Sequence, residues 1–225
     1  MNQYRDCIPL VPRLRNRESG LSVEETLGKL FEDASDYPSR NRQFAAIRFY
    51  LFTMLWSCQS RWLHIARNIT NHVALLDHIE RWRSRYRDGV CLVTFNYDQM
   101  IEHALDYHRI GITSLDHYIS GPAYKLIKVH GSITWGRKVV SPELNSRGDV
   151  RLELIERSEE LTLAEDFVWK PNEEIGRLLR PERMIAIPAL AIPLVAKATF
   201  ECPKAHEEIL RQCIPKVTKL LVIGW

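Results

Sequence analysis

The sequence predicts a mixed α/β chain of Rossmann-like form: a doubly wound, mostly parallel sheet with an N-terminal helical segment. Three observations predict it. Apolar residues recur at helical spacing through most of residues 1–88. From Gly89 onward, short β-branched runs break that period. Those runs then alternate with further helical stretches, the pattern that builds parallel strands joined by crossover helices. A chain of 225 residues can bury one sizeable core. The expected organisation is therefore a single domain, mainly helical over 1–88 and Rossmann-like over 89–225, with an insertion near 136–180.

Taken in order, residues 1–20 read as an irregular lead-in with Pro9, Pro12 and many arginines. Ser22-Val23-Glu24-Glu25 has the S-x-x-E form of a capping box and opens a helix to about Ala34. Pro38 breaks the pattern, and a long helix from Arg42 to about Ala66 follows, with Phe44, Ile47, Leu51, Leu55 and Trp62 at near-helical intervals. Asn71 is placed to cap the next helix, whose Val73, Leu76, Ile79 and Trp82 share a face and whose end is marked by Gly89. Val90 to Phe95 reads as a strand buried on both faces, and Tyr97 to His108 as a helix. Lys125 to Val129 is the second expected strand and Arg183 to Ile187 the third. Between them, residues 136–180 are expected to hold strands and a helix. Pro203 to Gln212 reads as a helix, and Lys219 to Gly224 as a fourth strand. Because Trp225 follows a core-like strand directly and no strand with a glycine-rich turn precedes the first helix, both ends are expected to be cut.

Composition narrows the function classes. With 45% hydrophobic and 26% charged residues, the chain has the make-up of an ordinary globular protein, and a net charge of +3 indicates no nucleic-acid partner. Arg81, Arg83, Arg85 and Arg87 recur every second residue, which on a helix spreads them around the cylinder as a solvated end. The five cysteines are scattered with no C-x-x-C pair, so neither a structural zinc nor a disulfide framework is signalled, and no metal is expected. Free thiols fit the cytoplasm. The polar start is no signal peptide, and Phe44 to Trp56 is too short and carries Arg48, so no membrane span is expected.

Two strand ends concentrate polar chemistry. Thr94-Phe95-Asn96-Tyr97-Asp98 ends the first strand, and His130-Gly131-Ser132 ends the second. In parallel α/β sheets ligands bind beyond the carboxyl ends of strands. An Asn and an Asp two apart after a strand can both enter such a crevice, and Gly131 permits close backbone approach to a ligand. The plainer readings are that Asn96 or Asp98 caps the following helix, and that His130 is a satisfied polar residue. There is no P-loop, no G-x-G-x-x-G, no G-x-S-x-G and no H-E-x-x-H in the sequence.

The ordered set of motifs resembles the sirtuin superfamily. Thr94-Phe95-Asn96-Tyr97-Asp98 followed by Ile101-Glu102 is similar to the T-x-N-Y-D-x-x-I-E segment of bacterial sirtuin-like proteins. Lys125 to Ser132, reading K-L-I-K-V-H-G-S, resembles their second motif. Ile187 to Pro193, Phe200-Glu201-Cys202-Pro203 and Leu221 to Trp225 extend the likeness over roughly residues 68–225. The resemblance implies NAD as a substrate. It implies that His130 is a general base and that Asn96 holds the nicotinamide ribose and a water. It implies further that Asp98 recognises the nicotinamide amide and that Gly224 lies near the adenosine ribose. Thr94, Gly131 and Ser132 complete the implied binding set.

Two departures qualify what is carried over. The G-A-G-x-S turn that cradles the pyrophosphate has no match in residues 1–60, and 137–185 holds no cysteine for the zinc module of protein deacylases. The expected activity is thus NAD hydrolysis of the antiphage-defence type, in a parent protein. The alternatives are an NAD-dependent deacylase and a non-catalytic NAD- or nucleotide-binding sensor module. A second copy of the chain or an attached sensor domain is the expected protein partner.

Overall fold

Ser22 and Glu25 decide where the helical half takes shape. In the computed structural model, which describes residues 2–15, 20–32, 37, 39–67, 69–86, 88–141, 150–169, 185–192 and 200–224, Ser22 Oγ accepts the Glu25 N–H at 3.0 Å. Glu25 Oε2 accepts the Ser22 N–H at 2.6 Å in return. This reciprocal pair is the capping box expected from the sequence, and it satisfies donors that a first helical turn leaves without partners. Around it, α1 (Leu10–Arg15), α2 (Val23–Glu32) and the start of α3 (Ser39–Ala66) bury Leu10, Leu27, Leu30 and Phe44 together.

Further along α3, Ala46, Phe49 and Phe52 turn into a second core with Ile133, Leu154, Ile155 and Leu190. Trp62, the last of the apolar residues at near-helical intervals, is 55% exposed, and the last buried residue of α3 is Gln59. α4 (Asn71–Tyr86) follows, and its cap is Thr70 and not Asn71: Thr70 Oγ1 accepts the Val73 N–H at 3.4 Å. At the end of α4, Arg81 and Arg85 are exposed, as expected for a solvated end, while Arg83 pairs with Glu80 at 2.7 Å; Arg87 lies outside the described residues.

β1 (Val90–Thr94) and β2 (Tyr124–Lys128) pair in parallel, from Val90 opposite Tyr124 to Thr94 opposite Lys128. A parallel pair needs a crossover, and here it carries α5 (Met100–Tyr107) and α6 (His117–Ser120). Val73, Leu76, Ala104, Leu105, Leu126 and Trp135 form the core on this side, each fully buried leucine contributing about 1.5–3 kcal/mol. β1 departs from its expected two-faced burial. Val90 and Leu92 pack into the core, while Val93, pointing the other way, is 44% exposed.

After β2 the chain makes a turn at His130 and enters β3 (Gly131–Ser141), the central strand of a separate antiparallel sheet of order β4-β3-β5. β4 (Thr162–Trp169) is reached through α7 (Val150–Glu156), so the insertion holds strands and a helix as expected; residues 142–149 and 170–180 lie outside the described ones. β5 (Ala186–Leu190) occupies the place of the third expected strand, of which Arg183 and Met184 are not described. It pairs antiparallel with β3 and does not extend the parallel sheet. Pro188, lacking an N–H, suits a strand bonded on one side.

α8 (Lys204–Cys213) matches its expectation, but the fourth strand does not form. Residues 217–224 join no strand among those described, and Leu220, Leu221, Val222 and Ile223 are 81%, 68%, 64% and 62% exposed. Apolar β-branched composition supplies propensity, and a ladder still needs a neighbour. The architecture is mixed α/β: a parallel pair and an antiparallel triplet under helices. Among the described residues, no helix is long and apolar enough to cross a membrane.

Candidate functional site

The two strand ends singled out in the sequence meet. β1 and β2 run parallel with Thr94 opposite Lys128, so Asn96 and His130 leave the same end of the sheet. The Val129 N–H donates to the Thr94 carbonyl at 3.2 Å, extending the ladder to the residue before His130.

The first strand end is a turn held by several main-chain hydrogen bonds. Asn96 N–H donates to Thr94 Oγ1 at 3.1 Å. The Tyr97 carbonyl accepts from the Ile133 N–H at 3.0 Å, and the Tyr97 hydroxyl donates to the Ala191 carbonyl at 2.8 Å. Buried Gln59 of α3 receives the Gln99 N–H at 2.5 Å and donates its own amide to Gln99 Oε1 at 3.2 Å. The Asp98 carbonyl accepts from the ammonium of Lys128. Asp98 Oδ1 accepts the Met100 N–H at 3.0 Å, which delays α5 to Met100 where helical period alone pointed to Tyr97. Asp98 thus turns the chain toward the helix from one position ahead of the N-cap, which is Gln99 and has no side-chain cap bond. Asn96 makes no such bond: it is exposed, and its side-chain amide has no hydrogen-bond partner among the described residues.

The second strand end is held from three sides. The Val129 carbonyl accepts from Glu201 N–H and the His130 carbonyl from Ala191 N–H, each at 2.9 Å. Gly131 has φ of +90°, and a Cβ there would lie 1.9 Å from the Ala189 carbonyl oxygen. The close approach that Gly131 permits is therefore to β5. Ser132 is fully buried; its hydroxyl lies 3.0 Å from Thr134 Oγ1 and 3.5 Å from the Tyr97 carbonyl, inside the protein.

His130 itself is half-buried between aromatic rings, with Phe95 edge-on at 5.2 Å and Tyr97 tilted at 6.3 Å. Burial pushes its pKa below the ordinary value, against the opposing effect of a ring hydrogen bond to the Phe95 carbonyl. A pKa lowered by burial favours the neutral imidazole, the form able to take a proton. Phe95 is 62% exposed and gives the site an apolar rim.

Gly224 is not brought to this cluster by any hydrogen bond among the described residues. Its φ is +80° with open space around a would-be Cβ, while Lys219, five residues earlier, lies over the rings of Trp82 and Tyr86 at 4.9 and 4.7 Å. Those rings end α4, beside the start of β1 and away from its carboxyl end.

Gln59, Tyr97 and Lys128 are the supports that sequence reasoning passed over. A lysine in an otherwise apolar strand end was the one signal available for Lys128; Gln59 lies 40 residues from its partner and carried none. Among the described residues, no group of three or more His, Cys, Asp or Glu is placed to hold a metal. No family model, curated protein or solved structure matches this chain.

Proposed function

We propose that this chain is part of an NAD-consuming, sirtuin-like domain whose parent hydrolyses NAD. The observation that carries the reading is the convergence of an exposed, unpartnered Asn96 amide and a neutral-biased His130 at one end of a parallel strand pair. The helical crossover between β1 and β2 is the minimal unit of a doubly wound sheet, and it supports the finer fold reading of a Rossmann-like parent.

The chemistry asks little else of the residues. Water adds to the ribose carbon that bears nicotinamide, the glycosidic C–N bond breaks, and its electron pair neutralises the departing pyridinium. The water's proton goes to a ring nitrogen of His130. The transition state resembles an oxocarbenium ion, so catalysis depends on orienting the water and the ribose. Asn96 is the group to do this, since its amide both donates and accepts. Asp98, with one oxygen on the Met100 N–H, has its second oxygen available for the nicotinamide amide.

The test is nicotinamide release from NAD by the wild-type protein and by His130→Ala and Asn96→Ala. A loss on the order of a hundredfold or more is expected in each. Turnover at the wild-type rate in both variants would sink the hydrolase reading. One sequence feature favours a second reading, a binding module without catalysis: residues 1–60 hold no G-A-G-x-S motif to cradle a pyrophosphate. Calorimetric binding of NAD without any nicotinamide release would support it. Deacylase activity is the weaker alternative because 137–185 lacks cysteine for the zinc module.

A further inference from the structure

Lys128 is the least expected member of the core. Its side chain is 1% exposed at the last position of β2, and lysine is almost never fully buried unless paired. Its ammonium donates to Glu102 Oε1 at 2.9 Å and to the main-chain carbonyl of Asp98. Glu102, in the first turn of α5, is also buried, and the Tyr118 hydroxyl donates to the same Oε1 at 3.0 Å. Glu102 Oε2 is buried with no partner.

On stability grounds alone this arrangement is hard to justify. Removing two charges from water offsets most of their attraction, and well-packed apolar side chains of similar volume do as well or better. An unsatisfied carboxylate oxygen makes the balance worse. What apolar side chains cannot do is donate to a carbonyl. The Asp98 carbonyl sits between the exposed Asn96 and the start of α5, where no intrahelical N–H reaches it. Lys128 supplies that donor from a position two residues before His130 along the chain. The tie therefore sets the Asn96–Asp98 turn against the His130 turn.

We propose that Lys128, held by Glu102 and Tyr118, is a positioning residue that fixes the Asn96–Asp98 turn relative to His130. Its role in turnover rests on the hydrolase reading of the site; its role in holding the turn does not. The ion pair acts by geometry, so removing both charges together separates position from stability.

The experiment compares wild type with the double variant Lys128→Met/Glu102→Leu. It reads thermal midpoint, amide hydrogen exchange at residues 97–100, and kcat and KM for NAD. The expected result is a folded protein with a cooperative thermal transition, faster exchange at 97–100, and kcat reduced on the order of a hundredfold with KM changed far less. Should leucine strand the Tyr118 hydroxyl and lower the yield of folded protein, Lys128→Met/Glu102→Gln keeps an acceptor for it and carries the same expectation. Unchanged exchange at 97–100 overturns the proposal, as does unchanged kcat in an active wild type. If wild type releases no nicotinamide, the hydrolase reading fails by itself and exchange decides: faster exchange supports the clamp, and wild-type exchange overturns it.

Discussion

Gly131 shows how a single residue joins the two sheets. Its positive φ carries the chain out of β2's direction, and the missing side chain lets the backbone lie against β5. The sequence suggested a close approach at this glycine, but toward a ligand; the neighbour is Ala189, a contact no local signal encodes. Gly131→Ala would suffer twice, from a left-handed backbone that disfavours a Cβ and from a clash with a carbonyl oxygen that belongs to a strand and cannot swing aside. We expect a loss of about 3 kcal/mol or more, read as a shift in the urea midpoint at unchanged slope. A loss under about 1 kcal/mol would mean that β5 does not pack on the turn as described.

At the level of elements, local signals were decoded well and pairing was not. The capping box at Ser22, the apolar period of α3 and α4, and the β-branched runs of β1 and β2 each lie within a few consecutive residues. By contrast, β3 reads Gly131-Ser132-Ile133-Thr134-Trp135-Gly136-Arg137, with too little alternation to announce the centre of a sheet. Whether a run such as 186–190 pairs parallel or antiparallel depends on the connection that joins it to its partner, not on the run. The segment Leu220–Ile223 is the sharpest case, since its strand-like composition lies exposed in solvent. Four adjacent apolar side chains at that exposure favour association with a second edge. Val222→Lys is expected to lower concentration-dependent self-association, measured by sedimentation or light scattering. It should leave the thermal midpoint within about 0.5 kcal/mol of wild type, as for other exposed substitutions. A variant that unfolds more easily would show instead that the segment packs on the protein.

For the molecule as a whole, the ends of the strands were legible and their supports were not. Asn96, Asp98 and His130 stand out because polar residues after an apolar run are a local pattern, whereas Tyr97 reaches Ala191 across 94 positions. The same long-range burial that hides such supports also sets the response of the fold to acid. His206 is buried between Tyr118 and Trp135, with ring centroids 5.7 and 5.3 Å away, and its Nε2–H donates to the Leu115 carbonyl at 3.1 Å. Its Nδ1 is buried without a partner. Desolvation lowers its pKa from 6.5, outweighing the Leu115 hydrogen bond and Asp116, and desolvation also lowers that of His130. A histidine that is harder to protonate when folded lets the unfolded chain bind more protons below the ordinary value. Stability from both residues is thus fully present above about pH 6.5 and declines as pH falls through the lowered folded values. The thermal midpoint is expected to drop between about pH 7 and about pH 5. His206→Gln, whose amide can donate to Leu115 in place of Nε2–H but does not titrate, should start lower and lose less over the same interval. Equal acid-dependent losses in wild type and variant would remove His206 from the account and leave the acid response to His130 and the carboxylates.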